Sequence, residues 1–128
     1  MHVIISYMNE EPYTIYDGVL EQGDLLHYRR YFKDTMFPWY YQNQTTKGSA
    51  DNEFMFTHTF FHNNSRNSER MWDILDITTK VAHLSNSENK KLMRIKSNLY
   101  TNQGKNIEMH PHRDYVDLDY NFKTAVLI

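Results

Sequence analysis

The chain has 128 residues, of which 40% are hydrophobic and 23% are charged, and this composition predicts one globular domain with a modest core. The net charge of −2 argues against bulk electrostatic binding to nucleic acid or to an anionic membrane, and no apolar run is long enough to span a membrane. The absence of cysteine excludes disulfides, thiolate metal sites and thiol nucleophiles, and it favours a cytoplasmic location.

The first part of the chain is predicted to hold short strands around one helix. A helix is indicated where side chains recur at three- and four-residue spacing, at Leu25, Arg29, Phe32 and Met36. The predicted elements are a strand from His2 to Tyr7, an extended piece from Tyr13 to Tyr16, a helix from Val19 to about Lys33, and an extended aromatic segment from Phe37 to Tyr41.

The second part is predicted to hold one helix and several strands. The predicted elements are a strand from Glu53 to His62, a loop from Asn63 to Asn67, a helix capped by Asn67 or Ser68 that runs to about Leu84, a strand from Leu92 to Tyr100, extended chain from Ile107 to Asp114, and a last strand from Phe122 to Ile128. This order predicts an α+β fold, or a β sandwich with helices packed outside it.

Two strands have faces that matter for function. Strict alternation in the Glu53 to His62 strand places His58 and His62 on one face, where packing is the expected role of both rings. In the Leu92 to Tyr100 strand, alternation places four polar side chains on the face opposite the apolar one: Arg94, Lys96, Asn98 and Tyr100. Arg94 and Lys96 can there meet an acidic co-substrate or remain solvated.

The sequence stops inside an apolar, β-branched run, Ala125 to Ile128. Chain termini usually lie on the surface and fray, so this ending predicts a buried strand in a fragment of a longer protein. A fragment of this kind is expected to have an open strand edge, which a second copy of the chain can cover as a homodimer.

The residues with the clearest chemistry are His112 and Asp114, which are spaced as in the 2-His-1-carboxylate sites that bind Fe(II). Chance alone supplies roughly 0.5 such pairs in a chain of this composition, so the motif is weak by itself. Alternation also leaves His110 open as a ligand in place of His112. Nearby polar residues strengthen the motif, because a hairpin would bring Asn98 and Tyr100 to the same cavity.

Three segments in this order resemble the double-stranded β-helix oxygenases that depend on Fe(II) and 2-oxoglutarate, in particular the prolyl-4-hydroxylase-like and phage-type members. The segments are Arg94 to Tyr100, His112-Arg113-Asp114, and Phe122 to Ile128. The stretches Phe37 to Tyr41 and Phe54 to His62 are also similar to the N-terminal region of that group. The resemblance implies a single oxygenase-like domain over residues 1–128, forming the N-terminal part of a jelly roll with two packed helices and with its C-terminal strands missing.

The resemblance also implies roles for four residues. His112 and Asp114 would be iron ligands, and Asn98 and Tyr100 would contact 2-oxoglutarate. The family's distal histidine and its basic co-substrate residue lie several strands further on and match no position here, so this chain alone is expected to be inactive and to bind Fe(II) weakly. Two alternatives stay open: a non-catalytic β-rich binding or structural module, phage-derived and with an accidental motif, and a metal-binding jelly roll with other chemistry. The substrate is unknown.

Overall fold

The computed structural model of the chain describes residues 2–7, 10–45, 53–106 and 123–127. Their elements are β1 (His2–Tyr7), β2 (Glu10–Asp17), α1 (Gln22–Lys33), β3 (Tyr40–Gln42), β4 (Met55–His62), β5 (Ser65–Arg66), a 3-10 helix (Glu69–Ile74), α2 (Leu75–Leu84), β6 (Arg94–Leu99) and β7 (Lys123–Leu127). Two helices and antiparallel sheets confirm the α+β class.

The chain forms two compact units. The first contains β1, β2, α1, α2 and β7, and the second contains β3 to β6. The prediction of a single domain over residues 1–128 stays a prediction, as does the jelly-roll arrangement. None of the described helices is long and apolar enough to cross a membrane.

The first unit is built on an antiparallel sheet in the order β2-β1-β7. Val3 and Ile5 alternate along the central strand and are fully buried on one of its faces. Gly18 follows β2 with a φ of 65°, a left-handed conformation that a glycine adopts without strain, and the chain then turns into α1. Apolar burial on one sheet face therefore supplies the core of this unit.

In the first unit, aromatic rings pack together along and just after α1, and an ion pair joins α1 to α2. Tyr28 is the buried residue of α1, and its ring stacks on Phe32, which in turn meets Phe37 edge to face. Lys80 of α2 bonds Asp24 of α1 with an Nζ to Oδ2 distance of 3.0 Å. The predicted helical spacing is wrong at its last member, Met36. This residue lies beyond the end of α1 at Lys33, and it is 77% exposed.

The last strand differs from its prediction. β7 pairs with β1 through residues such as Ala125, which lies opposite Ile5, and it is an edge of the described sheet. Val126 is 48% exposed, so the expectation of a buried strand is wrong for this element. Lys123 at the start of β7 donates a hydrogen bond to the carbonyl oxygen of Ser85, the C-cap of α2. A cation there complements the negative end of the helix dipole.

The second unit is an antiparallel sheet with β4 at its centre. β3 and β5 pair with β4, and β6 also pairs with β4, from Phe56 to His62. Asn63 and Asn64 both have positive φ and form the two-residue turn between β4 and β5. The sequence predicted a loop here. Asparagine tolerates the left-handed conformation that a tight hairpin turn of this type demands, so the loop is instead a hairpin.

The helix after this hairpin begins as a 3-10 helix. Ser68 Oγ accepts a hydrogen bond from the backbone N–H of Arg70, which confirms Ser68 as the cap. The 3-10 stretch runs from Glu69 to Ile74, and α2 then ends at Leu84 as predicted. Periodicity alone predicted one continuous α-helix. The side-chain spacing in a short 3-10 helix is nearly the same as in an α-helix, so the pattern does not distinguish them.

Tyr28 is expected to make the stability of the first unit fall at alkaline pH. Burial first, and then the Asp76 carboxylate, raise the pKa of the Tyr28 phenol above its usual value of 10.0. A raised folded-state pKa means that the neutral phenol stabilises the fold fully below about pH 10 and that this stability is lost as the pH rises further. We expect Tyr28→Phe to lose less stability than the unchanged chain between pH 8 and pH 10.5, measured by urea unfolding.

The matched control is Tyr13→Phe, because Tyr13 lies on β2 with 56% of its surface exposed. That variant should follow the unchanged chain at both pH values. Equal losses in Tyr28→Phe and in the unchanged chain would show that the Tyr28 phenol has no part in the alkaline transition.

Candidate functional site

The polar face of β6 is set by its pairing with β4. Asn98 lies opposite Thr57 and Lys96 lies opposite Thr59. Directly opposed residues of an antiparallel pair share a face, with their Cβ atoms about 4.5–5.5 Å apart. The predicted face of Arg94, Lys96 and Asn98 is therefore confirmed, and it carries threonine hydroxyls beside the amide and the cations.

At one end of this face, Asn98 and Tyr100 lie side by side. The Asn98 Nδ2 donates to the Tyr100 phenol oxygen at 3.5 Å, which is the long limit for a hydrogen bond. Both side chains are exposed, Tyr100 by 50%. A long, exposed bond is weak, so the amide and the phenol can turn toward a ligand at little cost. Both groups donate hydrogen bonds, as a carboxylate requires.

A shallow pocket of about 190 Å³ opens beside Tyr100. Its other lining residues are Phe54 on one side and the polar segment after β6, namely Thr101, Asn102, Gln103, Lys105 and Asn106. Pockets that enclose a small ligand usually measure about 300–1,000 Å³. The described residues therefore form an open hollow that is rich in amide groups and too small to enclose a ligand of that kind.

A second hollow, the cationic depression, lies on the same sheet face further along the strands. Its volume is about 230 Å³. It is lined by Gln42, Met55, Thr57, Thr59, His62, Arg94 and Lys96. Alternation had identified Arg94 and Lys96, and it had placed His62 on the same face of its strand as His58.

The two histidines of β4 lie on opposite faces because the strand contains a bulge. The register with β6 shifts between Thr59 and Phe61, so one extra residue is accommodated on β4. His62 consequently lies opposite Arg94 and lines the cationic depression, whereas His58 lies opposite Ser97. The prediction that both histidines share one face is wrong, since strict alternation cannot register an inserted residue.

His58 has the packing role that its position predicted. The ring is 3% exposed and lies against Phe60, with the ring centroids 4.6 Å apart. Its Nδ1 donates to the carbonyl oxygen of Pro38 at 2.8 Å, and its Nε2 is 2.8 Å from the Ser68 hydroxyl. A carbonyl can only accept, so Nδ1 carries a proton, and Nε2 shares a hydrogen bond with the Ser68 hydroxyl. Both nitrogens are engaged, which leaves neither for a metal.

The predicted iron ligands, His112 and Asp114, and the alternative ligand His110 lie outside the residues that the structure describes. Within the described ranges, no cluster of three or more histidine, aspartate or glutamate side chains could hold a metal ion. The two residues predicted to contact the co-substrate, Asn98 and Tyr100, lie side by side at the exposed end of β6.

Comparison with known proteins gives no relative: no family model, no curated protein and no solved structure matches the chain.

The packing role of His58 leads to a stability prediction. His58→Ala removes two hydrogen bonds and leaves a cavity beside Phe60, so we expect it to lower the free energy of unfolding by about 2–4 kcal/mol in urea denaturation. Affinity for Mn(II) should not change.

His83→Ala is the matched control, because His83 is an exposed histidine that contacts Glu88 on the surface. Exposed ion pairs contribute little, so its stability should stay close to that of the unchanged chain. A large loss of Mn(II) affinity in His58→Ala, without a loss of stability, would instead identify His58 as a ligand.

Proposed function

We propose that this chain is the N-terminal portion of an Fe(II)- and 2-oxoglutarate-dependent hydroxylase or dioxygenase. His112 and Asp114 are its proposed iron ligands, and Asn98 and Tyr100 are its proposed contacts to 2-oxoglutarate. The proposal is supported by the order of motifs in the sequence and by the α+β class of the fold.

One observation carries the proposal furthest, namely the convergence of Asn98 and Tyr100 at the exposed end of β6. Their position in the sequence, before the His112-Arg113-Asp114 motif, is the order that the resemblance requires. A pair of donors held by a strand is better placed than a pair on a loop, because the sheet fixes the backbone of one of them.

The proposed chemistry assigns each side chain a simple task. The Asn98 amide and the Tyr100 hydroxyl donate hydrogen bonds to the co-substrate and orient it. His112 as the neutral imidazole and Asp114 as the carboxylate hold the metal, which requires both groups to be deprotonated. When bound, Fe(II) and 2-oxoglutarate supply the oxidising power for hydroxylating a C–H bond with dioxygen. The protein contributes binding, orientation and the exclusion of water.

The co-substrate role of the pair can be tested by binding. Asn98→Ala and Tyr100→Phe each remove a hydrogen bond to a charged group, which is worth about 1.5–3 kcal/mol. We expect each to raise the dissociation constant for 2-oxoglutarate by about tenfold or more. Equilibrium dialysis in the presence of Mn(II) measures this constant without turnover.

Ser97→Ala is the control for this pair. Ser97 is the neighbour of Asn98 on β6, but it lies opposite His58 on the other face of the sheet. Its removal should leave 2-oxoglutarate binding unchanged. Unaltered binding in Asn98→Ala and Tyr100→Phe would remove the pair from the co-substrate site.

The metal role of the motif is a separate test. His112→Ala and Asp114→Ala should each weaken Mn(II) binding by at least about tenfold, since losing even a group that supports a ligand costs this much. Mn(II) titration followed by electron paramagnetic resonance measures the affinity. Because the resemblance assigns only two protein ligands within residues 1–128, we expect weak binding and no stoichiometric succinate from this chain.

His83→Ala again serves as the control, as a histidine on the surface of α2. Equal Mn(II) affinity in all three variants and in the unchanged chain would favour the alternative function, a non-catalytic β-rich binding or structural module. Succinate formed in proportion to the protein would show that residues 1–128 hold a complete iron site.

A further inference from the structure

A serine hydroxyl, a histidine ring and a backbone carbonyl are hydrogen-bonded in series in the second unit. The Nε2 atom of His58 is 2.8 Å from the Ser68 Oγ, and the Nδ1 atom donates to the carbonyl oxygen of Pro38, also at 2.8 Å. Distances of about 2.6–3.2 Å are those that join a nucleophile to its general base and the base to a third group that orients it. The three groups therefore have the arrangement of an activated serine.

The hydrogen bond to Pro38 fixes which nitrogen of His58 can act as a base. A carbonyl oxygen only accepts, so the single proton of the neutral ring lies on Nδ1. Nε2 of the neutral ring then has an electron pair directed at the Ser68 hydroxyl and can take its proton. The carbonyl thus holds the ring in one tautomer and one orientation, which is a task of the carboxylate in a Ser-His-Asp triad.

The hydroxyl oxygen of Ser68 keeps the capacity to form a new bond. A serine oxygen has one proton to donate and two lone pairs. In the part of the chain that the structure describes, one pair accepts the backbone N–H of Arg70 at 3.2 Å and the proton is shared with His58. The second lone pair is then available to attack an electrophilic carbon.

The burial of the two side chains suits a base and a nucleophile. His58 is 3% exposed and packs against Phe60, which holds its ring in place, whereas Ser68 is partly exposed and can be reached from solvent. The ring centroid of Tyr40 is 6.0 Å from that of His58, and Tyr40 is largely exposed. An exposed aromatic ring beside the pair favours a ligand that carries an aromatic group.

We propose that Ser68 is a nucleophile, activated by His58, that takes the acyl group from an ester of an aromatic alcohol. The Ser68 Oγ bonds to the carbonyl carbon as its proton passes to Nε2 of His58. The bond between that carbon and the aryl oxygen then breaks, and the aromatic alcohol leaves with the proton from Nε2. Water next attacks the acyl-serine and gives a proton to Nε2, which returns it to the Ser68 Oγ as the carboxylic acid is released.

This activity does not rest on the proposed oxygenase function, because it uses neither metal nor 2-oxoglutarate. The two sets of residues also lie on different faces of the sheet. His58 is opposite Ser97, whereas Asn98 is opposite Thr57 on the polar face.

The experiment treats the metal-free full chain with para-nitrophenyl acetate in one arm and with a fluorophosphonate, a reagent for activated serines, in the other. Absorbance measures the release of para-nitrophenol, and peptide mass spectrometry locates the group that is added. We expect one acetyl or phosphonyl group on Ser68 in each arm. The variant Ser68→Ala should lose the label.

Ser87→Ala is the matched control, because Ser87 is also partly buried and its hydroxyl bonds only a carbonyl oxygen, that of Ser85. Its labelling should equal that of the unchanged chain. His58→Gln keeps an amide that can hydrogen-bond on both sides but supplies no base, so it should slow the labelling of Ser68 by at least about a hundredfold. No label on Ser68, or an equal rate in His58→Gln and in the unchanged chain, would overturn the proposal.

Thermal unfolding of each variant checks that the fold is retained. Should His58→Gln unfold, a cysteine substitution tests the same pair, since the chain has no cysteine of its own. A thiol beside an imidazole ionises more readily, so iodoacetamide should alkylate Ser68→Cys at least about tenfold faster than Ser87→Cys. Equal rates in the two folded cysteine variants would count against activation by His58.

Discussion

The pairing of β4 with β6 is the constraint on which both candidate sites depend. β4 is the central strand of its sheet, and its register fixes which side chains of β6 stand beside which side chains of β4. A shift of one residue would move Lys96 and Asn98 to the opposite face. The buried ring of His58 bonds Pro38 before β3 and Ser68 after β5, and it thereby ties the flanking segments to this strand. The polar face is therefore held in place by the packing of the other face.

The bulge in β4 determines which side chain of β4 lies beside Arg94. Without it, His62 would point to the same side as His58, and the hollow beside Arg94 would lack its imidazole. Bulges commonly redirect a side chain near a binding site, at the cost of an interrupted hydrogen-bond ladder. Here the redirected side chain joins two cations and the Thr59 hydroxyl in one depression.

Much of this arrangement could be predicted from the sequence, because period-two alternation directly reports the faces of a strand. β1 was predicted residue for residue, and the polar face of β6 was predicted correctly. The face on which His62 lies was not predicted, because the bulge adds one residue to β4 and no glycine marks it in the sequence. The Asn63-Asn64 turn and the 3-10 start of the second helix were missed for a similar reason, as each depends on backbone angles that hydrophobic periodicity does not encode. The exposed β7 shows the same limit: its composition is that of a buried strand, but burial depends on which neighbours cover it.

The two ends of the β6 polar face differ in charge and in exposure. At Asn98 and Tyr100 the side chains are neutral and exposed. At Arg94 and Lys96 the side chains are cationic and partly buried. A separation of about 20 Å along the strand is too great for one small acid to bridge both ends.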